Sequence, residues 1–305
     1  MNIFIAADDN YIYPARVMLT SFFLNNSGEK HKIYFMYSSV KDENIQLLSE
    51  LTEAHGADFV PVKINSDDFQ SLRRTERITV ETYYRFLIPH VLPKSEARAI
   101  WLDVDLVVNG PLDDFYYQDF DGNCLAGCRD IGDHREKMLR LGCPSTCTYI
   151  NAGVILFNME KMRQYTLRDF CDYYITHEKE ITWFDQDVIN GMFAGRIKVW
   201  DCDKYNVQVS NWRFKNQYDL SKAVVVHYIG EGKPWMKTYS NDAAKVWDLY
   251  YSKTFKCHKN YLQRQKRHRR IEKYILIPFG ECLRNLYAKS KVMRTVRNFI
   301  KRNQC

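Results

Sequence analysis

Hydrophobic and polar positions along the chain follow two rhythms in turn. Ile3–Ala7 is a short apolar run ending in Asp8-Asp9-Asn10, and Pro14 then opens a helical pattern through Val17, Met18 and Phe22 that stops near Gly28. His31–Tyr37 predicts a second strand. Lys41–His55 predicts a helix with Ile45, Leu48 and Leu51 on one face and Gly56 as its stop, and Phe59–Ile64 predicts a third strand. Thr82–Ile88 reads as a helix up to Pro89, and Ala99–Val108 as a fourth strand. Further strands are predicted at Leu125–Arg129, Gly153–Phe157 and Ala223–Ile229, with helices at Met159–His177 and Asp185–Phe193. Strands alternating with helices predict an α/β fold on a parallel sheet.

In such a sheet ligands bind beyond the carboxyl ends of the strands, where this pattern places Asp8, Asn10, Asp105, Asp130 and His227. No Gly-x-Gly-x-x-Gly or Walker sequence occurs, which excludes the usual dinucleotide and ATPase phosphate loops. Asp-x-Asp pairs occur at 103/105, 119/121, 185/187 and 201/203, so the pattern alone is weak. Only the first lies in a continuous apolar strand, Ile100-Trp-Leu-Asp-Val-Asp-Leu-Val-Val108, where a period of two puts both carboxylates on one face. Two half-buried anions repel each other and lose hydration, and a divalent cation between them removes that penalty. Carboxylate oxygens suit Mg²⁺ or Mn²⁺, and a histidine as third ligand favours Mn²⁺. His227, which ends Ala223-Val-Val-Val-His227 before Gly230-Glu-Gly-Lys233-Pro-Trp235, fits that role; a strand-end histidine bonded to backbone is the alternative.

Composition adds a division within the chain. Of the 305 residues 46% are hydrophobic, enough for one large core or a core with an appendage. The net charge of +7 conceals an acidic body and a basic tail. From Lys253 onward there are 16 of the 44 basic and 2 of the 37 acidic residues, net +14, which leaves 28 against 35, net −7, before it. A basic tail implies a polyanionic surface as partner, nucleic acid or anionic lipid. Nine cysteines, an odd number, behind an N-terminus without a cleavable leader pattern predict a reducing, cytoplasmic setting. Cys124 and Cys128 stand roughly 13 Å apart along a strand, too far for one tetrahedral zinc.

With these residues in view, the chain resembles glycosyltransferase family 8, and within it the bacterial lipooligosaccharide α-galactosyltransferases and lipopolysaccharide glucosyltransferases. The matching stretches are Phe4-Ile-Ala-Ala-Asp-Asp-Asn10, Thr82-Tyr-Tyr-Arg85, Trp101-Leu-Asp-Val-Asp105, Tyr149-Ile-Asn-Ala-Gly153, Asp185-Gln-Asp-Val-Ile-Asn-Gly191 and His227-Tyr-Ile-Gly-Glu-Gly-Lys-Pro-Trp235. The resemblance implies a GT-A fold, a mixed sheet flanked by helices, with a UDP-hexose donor, Mn²⁺ or Mg²⁺, and retention of anomeric configuration. It implies that Ala6, Asp8 and Asn10 hold the uridine, that Asp103, Asp105 and His227 ligate the metal, and that Gly230 and Lys233 meet the diphosphate. Arg85, Asp130, Asn151, Asp185 and Gln186 would surround the hexose, with Asp103 also on the donor and Asp130, Asp185 and Gln186 as the catalytic candidates. An amide is a poor nucleophile, which favours front-face attack over a covalent intermediate.

The expected organisation is a catalytic domain over residues 1–250 and a basic segment over 251–305. In that segment Tyr274–Phe279 is far short of the ~20 apolar residues a spanning helix needs. Leu283, Leu286, Tyr287, Met293, Val296 and Ile300 recur at helical spacing among Arg284, Lys291, Arg294, Arg297 and Lys301, the pattern of an interfacial helix or of an amphipathic helix packed on the core. The expected setting is the cytoplasmic face of the cell membrane, with a lipid-linked glycan as acceptor. A glycogenin-like enzyme that glucosylates a tyrosine is the alternative within enzymes. A nucleic-acid-binding protein reading Arg264-Gln-Lys-Arg-His-Arg-Arg270 as its footprint leaves the acidic strand ends without a role, so no nucleic acid is expected.

Overall fold

Strand β1 (Asn2–Ala6) shows how the apolar rhythm becomes layers, because all five residues are buried and successive side chains enter different cores. Ile3 and Ile5 join the helix α1 (Ile12–Asn25) through Ile12, Ala15, Met18, Leu19 and Phe22, whereas Phe4 and Ala6 meet Tyr83, Tyr84 and Phe86 on the opposite face. Residues 1–73, 75, 79–210, 218–236, 239 and 241–255 are described by this computed structural model of the chain.

The chain continues through β2 (Lys32–Tyr37), the amphipathic α2 (Asp42–Ala54) and β3 (Asp58–Lys63). Gly56, at φ +74°, turns the chain out of α2 as a glycine just beyond a helix end commonly does. Val80–Leu87 is a 3₁₀ segment that runs into the short α3 (Ile88–Val91), so the helix expected from Thr82 is tighter than an α-helix. Then follow β4 (Arg98–Leu102), β5 (Leu106–Val108), α4 (Asp113–Tyr116), β6 (Leu125–Arg129), α5 (Arg135–Arg140) and β7 (Ile150–Asn158). The helix expected over Met159–His177 is two, α6 (Met159–Met162) and α7 (Leu167–Thr176). Thr166 and Asp169 form a reciprocal capping box that starts the second. After α8 (Phe184–Met192) come β8 (Ile197–Trp200), α9 (Cys202–Tyr205), β9 (Val207–Val209), β10 (Val225–Tyr228) and α10 (Ala244–Phe255).

The large sheet has the order β3-β2-β1-β4-β7-β6-β8, and β7 runs antiparallel to both its neighbours. The sheet is therefore mixed, where alternation alone had argued for a parallel one. Strand β7 is buried over eight of its nine residues, as a central strand covered on both faces must be.

A second sheet, β5-β10-β9, stands beside the first, and the switch between the two decides where chemistry can occur. The single strand expected over Ala99–Val108 is interrupted. β4 ends at Leu102 in the large sheet, and Leu106 begins β5 in the small one. Both halves remain buried, so an unbroken apolar run conceals the bend. The intervening turn, Asp103-Val104-Asp105, is pinned at each end. Asp103 N donates to Gly153 O (2.8 Å) on β7, and Tyr228 N donates to Asp105 O (2.9 Å).

Helix α10 closes the small sheet with Trp247 against Tyr228 and packs on α1. At its end Phe255 stacks on Tyr13 (5.0 Å between centroids) and lies under the Arg16 guanidinium (4.8 Å). The basic segment beyond Phe255, with its expected interfacial helix, lies outside the described residues. No helix among the described residues is long and apolar enough to cross a membrane.

Candidate functional site

The seam between the sheets gathers residues from both halves of the chain. Asp103 and Asp105 come from the turn after β4 and His227 from β10, and one ligand atom of each lies within 4.8 Å of the others. His227 Nε2 is 3.2 Å from Asp105 Oδ1 and 3.8 Å from Asp103 Oδ2. The two carboxylates share a site because of a turn, not because of one strand face as the period-two reading required.

Each of these groups has one atom committed and one turned inward. Asp103 Oδ1 accepts from Trp101 Nε1 (2.7 Å) and Arg85 Nη2 (3.0 Å), which leaves Oδ2 facing His227. Asp105 Oδ2 takes Lys233 Nζ at 2.5 Å, which leaves Oδ1. His227 Nδ1 meets Asn206 Oδ1 at 3.1 Å; donating there fixes the tautomer and frees the Nε2 lone pair. Asn206 is fixed in turn, its Nδ2 donating to Asn151 Oδ1 (2.9 Å). Burial alone would push Asp105 up, but the Lys233 ammonium and the contact with His227 outweigh it and hold the carboxyl well below its ordinary range. Space for the ring exists because residue 153 is glycine. A Cβ there would lie 2.2 Å from His227 Cε1 and 3.0 Å from Asp103 Oδ2. Two carboxylate oxygens and an imidazole nitrogen with held outer partners form a set that fits a Mn²⁺- or Mg²⁺-type cation.

The remaining expected residues border this centre in two groups. At the end of β1, Ala6 is buried, and Asp8 accepts from Asn10 N (2.9 Å), Tyr11 N (3.0 Å) and Asn10 Nδ2 (3.2 Å), so Asp8 and Asn10 form one unit at the mouth of α1. Gly230, at φ +77°, turns the loop that carries Lys233 back to Asp105.

On the other side, Arg85 spans Asp103 and Asp185, with Nε 3.1 Å from Asp185 Oδ2 and its guanidinium over the Trp101 ring (4.4 Å). Thr82 Oγ1 donates to Asp185 Oδ1 (2.6 Å). Burial pushes Asp185 up to about 6, against the pull of Arg85 and the Thr82 hydroxyl. Gln186 Oε1 accepts from Ala152 N (2.9 Å) and Asn151 Nδ2 (3.2 Å), and Asn151 also donates to Asp130 Oδ1 (3.0 Å). His134 Nε2 reaches Asp130 Oδ2 at 2.9 Å, and that bond raises the His134 pKa against its burial. A cavity of about 520 Å³ opens beside Asp130, lined by His134, Tyr149, Thr148 and Arg129 among others.

Three carboxylates of the other Asp-x-Asp pairs have structural work. Asp119 caps the turn at Asp121, Asp201 caps α9, and Asp187 is buried within the first turn of α8, where it accepts from the Thr182 and Trp183 N–H groups. Cys128 is a buried thiol whose pKa burial raises, and the three-residue group at 103, 105 and 227 is the metal-capable cluster among the described residues. Sequence reasoning passed over Asn206, Trp101, Thr82 and His134. Trp101 and Thr82 lie inside the recognised stretches, but nothing in the spacing showed which carboxylate each would meet. Asn206 stands between the short α9 and the three-residue β9, a pattern too brief to register.

Comparison with known proteins agrees with this architecture. A model of the family described as "Glycosyl transferase family 8" matches residues 2–239. The chain is 28% identical over 249 residues to a lipopolysaccharide 1,3-galactosyltransferase of Salmonella typhimurium, covering 77% of this chain and 72% of that one. It is 25% identical over 248 residues to a lipopolysaccharide 1,2-glucosyltransferase of Escherichia coli K12, covering 78% and 73%. A crystal structure of the galactosyltransferase LgtC with donor and acceptor sugar analogs superposes with a TM-score of 0.75 at 20% identity, over 87% of this chain and all of that one. The shared fold is GT-A, as the resemblance implied.

Proposed function

The chain belongs to glycosyltransferase family 8, and from that premise we propose that it moves galactose or glucose from a UDP-sugar to a glycan acceptor with retention of configuration. The observation that carries this reading is the convergence of Asp103, Asp105 and His227 at the seam, each with an outer partner and a free inner atom. Galactosyl- and glucosyltransferases among the relatives support a hexose donor and an acceptor in a cell-surface lipid-linked glycan.

Asp103, Asp105 and His227 would hold Mn²⁺ or Mg²⁺, which neutralises charge on the departing diphosphate. Asp8 and Asn10, with Ala6 beneath them, take the uridine. Gly230 gives the backbone its approach to the phosphates, and Lys233 adds a cation beside Asp105 for the leaving group. Arg85, Asn151 and Asp130 frame the hexose. Asp185 is a poor candidate for covalent attack because Thr82 and Arg85 occupy its two oxygens. Gln186 is an amide whose oxygen already has two donors. These constraints support front-face attack, with the acceptor hydroxyl passing its proton to the departing phosphate.

The basic segment 251–305 would hold the protein on the cytoplasmic face of a membrane, each basic residue at an anionic surface contributing about 1 kcal/mol. Deleting residues after Phe255, where α10 ends, should release the protein from anionic vesicles while sparing transfer to a soluble acceptor; a truncated body that still sediments with them refutes the anchoring. The transfer reading is tested by a panel of UDP-sugars with Mn²⁺, scored for UDP release with and without candidate glycans. Release confined to UDP-galactose or UDP-glucose, and stimulated by a glycan, is expected. No release from either sugar nucleotide, or hexoses accumulating on the protein itself by intact mass, would overturn it.

A further inference from the structure

We propose that Tyr149, held by the buried Asp187–Lys137 pair, is a positioning residue that fixes the orientation of the Gln186 amide beside the reacting sugar; the role rests on the hexose-transfer reading above. Asp187 is fully buried and saturated with donors. Its Oδ2 accepts from Thr182 N (2.7 Å), Trp183 N (2.7 Å) and Thr182 Oγ1 (3.3 Å), and Lys137 Nζ lies 3.0 and 3.2 Å from its two oxygens. Tyr149 Oη donates the remaining bond, to Asp187 Oδ1. The pair also shapes the backbone: the two N–H groups turned onto Asp187 precede Phe184, a non-glycine residue at φ +51°, immediately before Asp185 and Gln186.

With its proton committed to Asp187, the Tyr149 hydroxyl offers Gln186 only an acceptor. Burial and the Asp187 charge both raise its pKa, so it stays protonated across the working range. Gln186 Nε2 lies 3.4 Å from Tyr149 Oη and 3.5 Å from Asp130 Oδ2, while Oε1 takes Ala152 N and Asn151 Nδ2. Turning the amide over would set its oxygen against two acceptors and its nitrogen against two donors. The amide therefore has one orientation. Tyr149 contributes to it from the side away from Ala152, and Lys137 on α5 fixes Asp187 from an element 50 residues distant.

Tyr149→Phe removes the hydroxyl and keeps the ring. With whichever of UDP-glucose or UDP-galactose the wild type turns over, we expect kcat to fall about tenfold, the scale of one lost hydrogen bond. KM for the sugar nucleotide should stay within about twofold, since uniform binding is untouched. Tyr149→Phe added to Gln186→Ala should cost nothing further, because its effect passes through that amide. Losses that multiply, or a wild-type kcat in Tyr149→Phe, overturn the proposal. A second measurement needs no turnover. The Gln186 side-chain amide protons, assigned by their disappearance in Gln186→Ala, should exchange slowly in the wild type and about tenfold faster in Tyr149→Phe. Unchanged exchange overturns the proposal even if no sugar nucleotide is turned over, whereas faster exchange in a protein without transfer supports the positioning and refutes only the transfer reading.

Discussion

The two sides of the site solve opposite problems. Around Asp103, Asp105 and His227 every group turns one atom inward without a protein donor on it, an arrangement that fits a cation. Around Asn151, Asp185, Gln186 and Asp187 the amides and carboxylates answer one another, so that side is settled before any substrate arrives. Preorganised dipoles need not reorient as charge develops, whereas an open ligand set would tie function to metal supply. One region should therefore respond to chelation and the other to substitutions that break its pairing.

The largest difference should follow from Lys137→Met, which leaves the Asp187 charge buried with one fewer partner. Removing one member of a buried pair costs about 3–5 kcal/mol, so chemical denaturation should show a loss of that size with or without Mn²⁺. A loss that added metal repairs would erase the distinction between the two sides. Next come Asp105→Asn and His227→Ala, each expected to cost at least about 3 kcal/mol of transition-state stabilisation while the fold persists. Wild-type turnover in EDTA should fall to the same level; near-normal turnover there would show that the seam needs no cation.

Asp185 offers a titration on the settled side. Its folded pKa, about 6, lies above the ordinary carboxyl value of 3.8. Its stabilising contribution is thus fully present below about pH 4 and is lost as pH rises through about 6, by linkage on the order of 2–3 kcal/mol. Asp185→Asn should flatten that part of the stability profile, and an unchanged slope between pH 4 and 7 would contradict the assignment. The smallest effect is expected at Asn206→Ala, which frees His227 Nδ1 without touching a ligand atom. Metal affinity should weaken about 10–100-fold, read as the Mn²⁺ concentration for half-maximal thermal protection.

Much of this site is legible in the sequence because its parts sit at the ends of strongly patterned strands. Asp8, Asp130 and His227 were placed by the apolar runs preceding them, and Asp103 and Asp105 stood out as the charges in one such run. The bend between Leu102 and Leu106 was not legible, because a strand that changes sheets stays apolar throughout. Lys137 and Asp187 were equally hidden: each stands on its own helix at an ordinary polar position, and nothing in linear spacing records that α5 folds back over the start of α8. Interactions within one element leave a period in the sequence, while pairs between elements leave none.

The packing of Phe255 on Tyr13 and Arg16 bears on how such an enzyme would find its acceptor. Tyr13 lies one helical turn from Asn10, so Phe255 sits close to the end of β1 where the uridine is proposed to bind. Were the body moored through the residues that follow, as proposed, Phe255 would set the mooring near the donor end of the site. An acceptor confined to the same surface then meets the cleft by searching a plane instead of a volume, and its effective concentration is set by lateral density and by the reach of the tether. Shortening that tether would alter capture of a surface-bound acceptor and leave a dissolved one unaffected, although no residue of the cleft had changed.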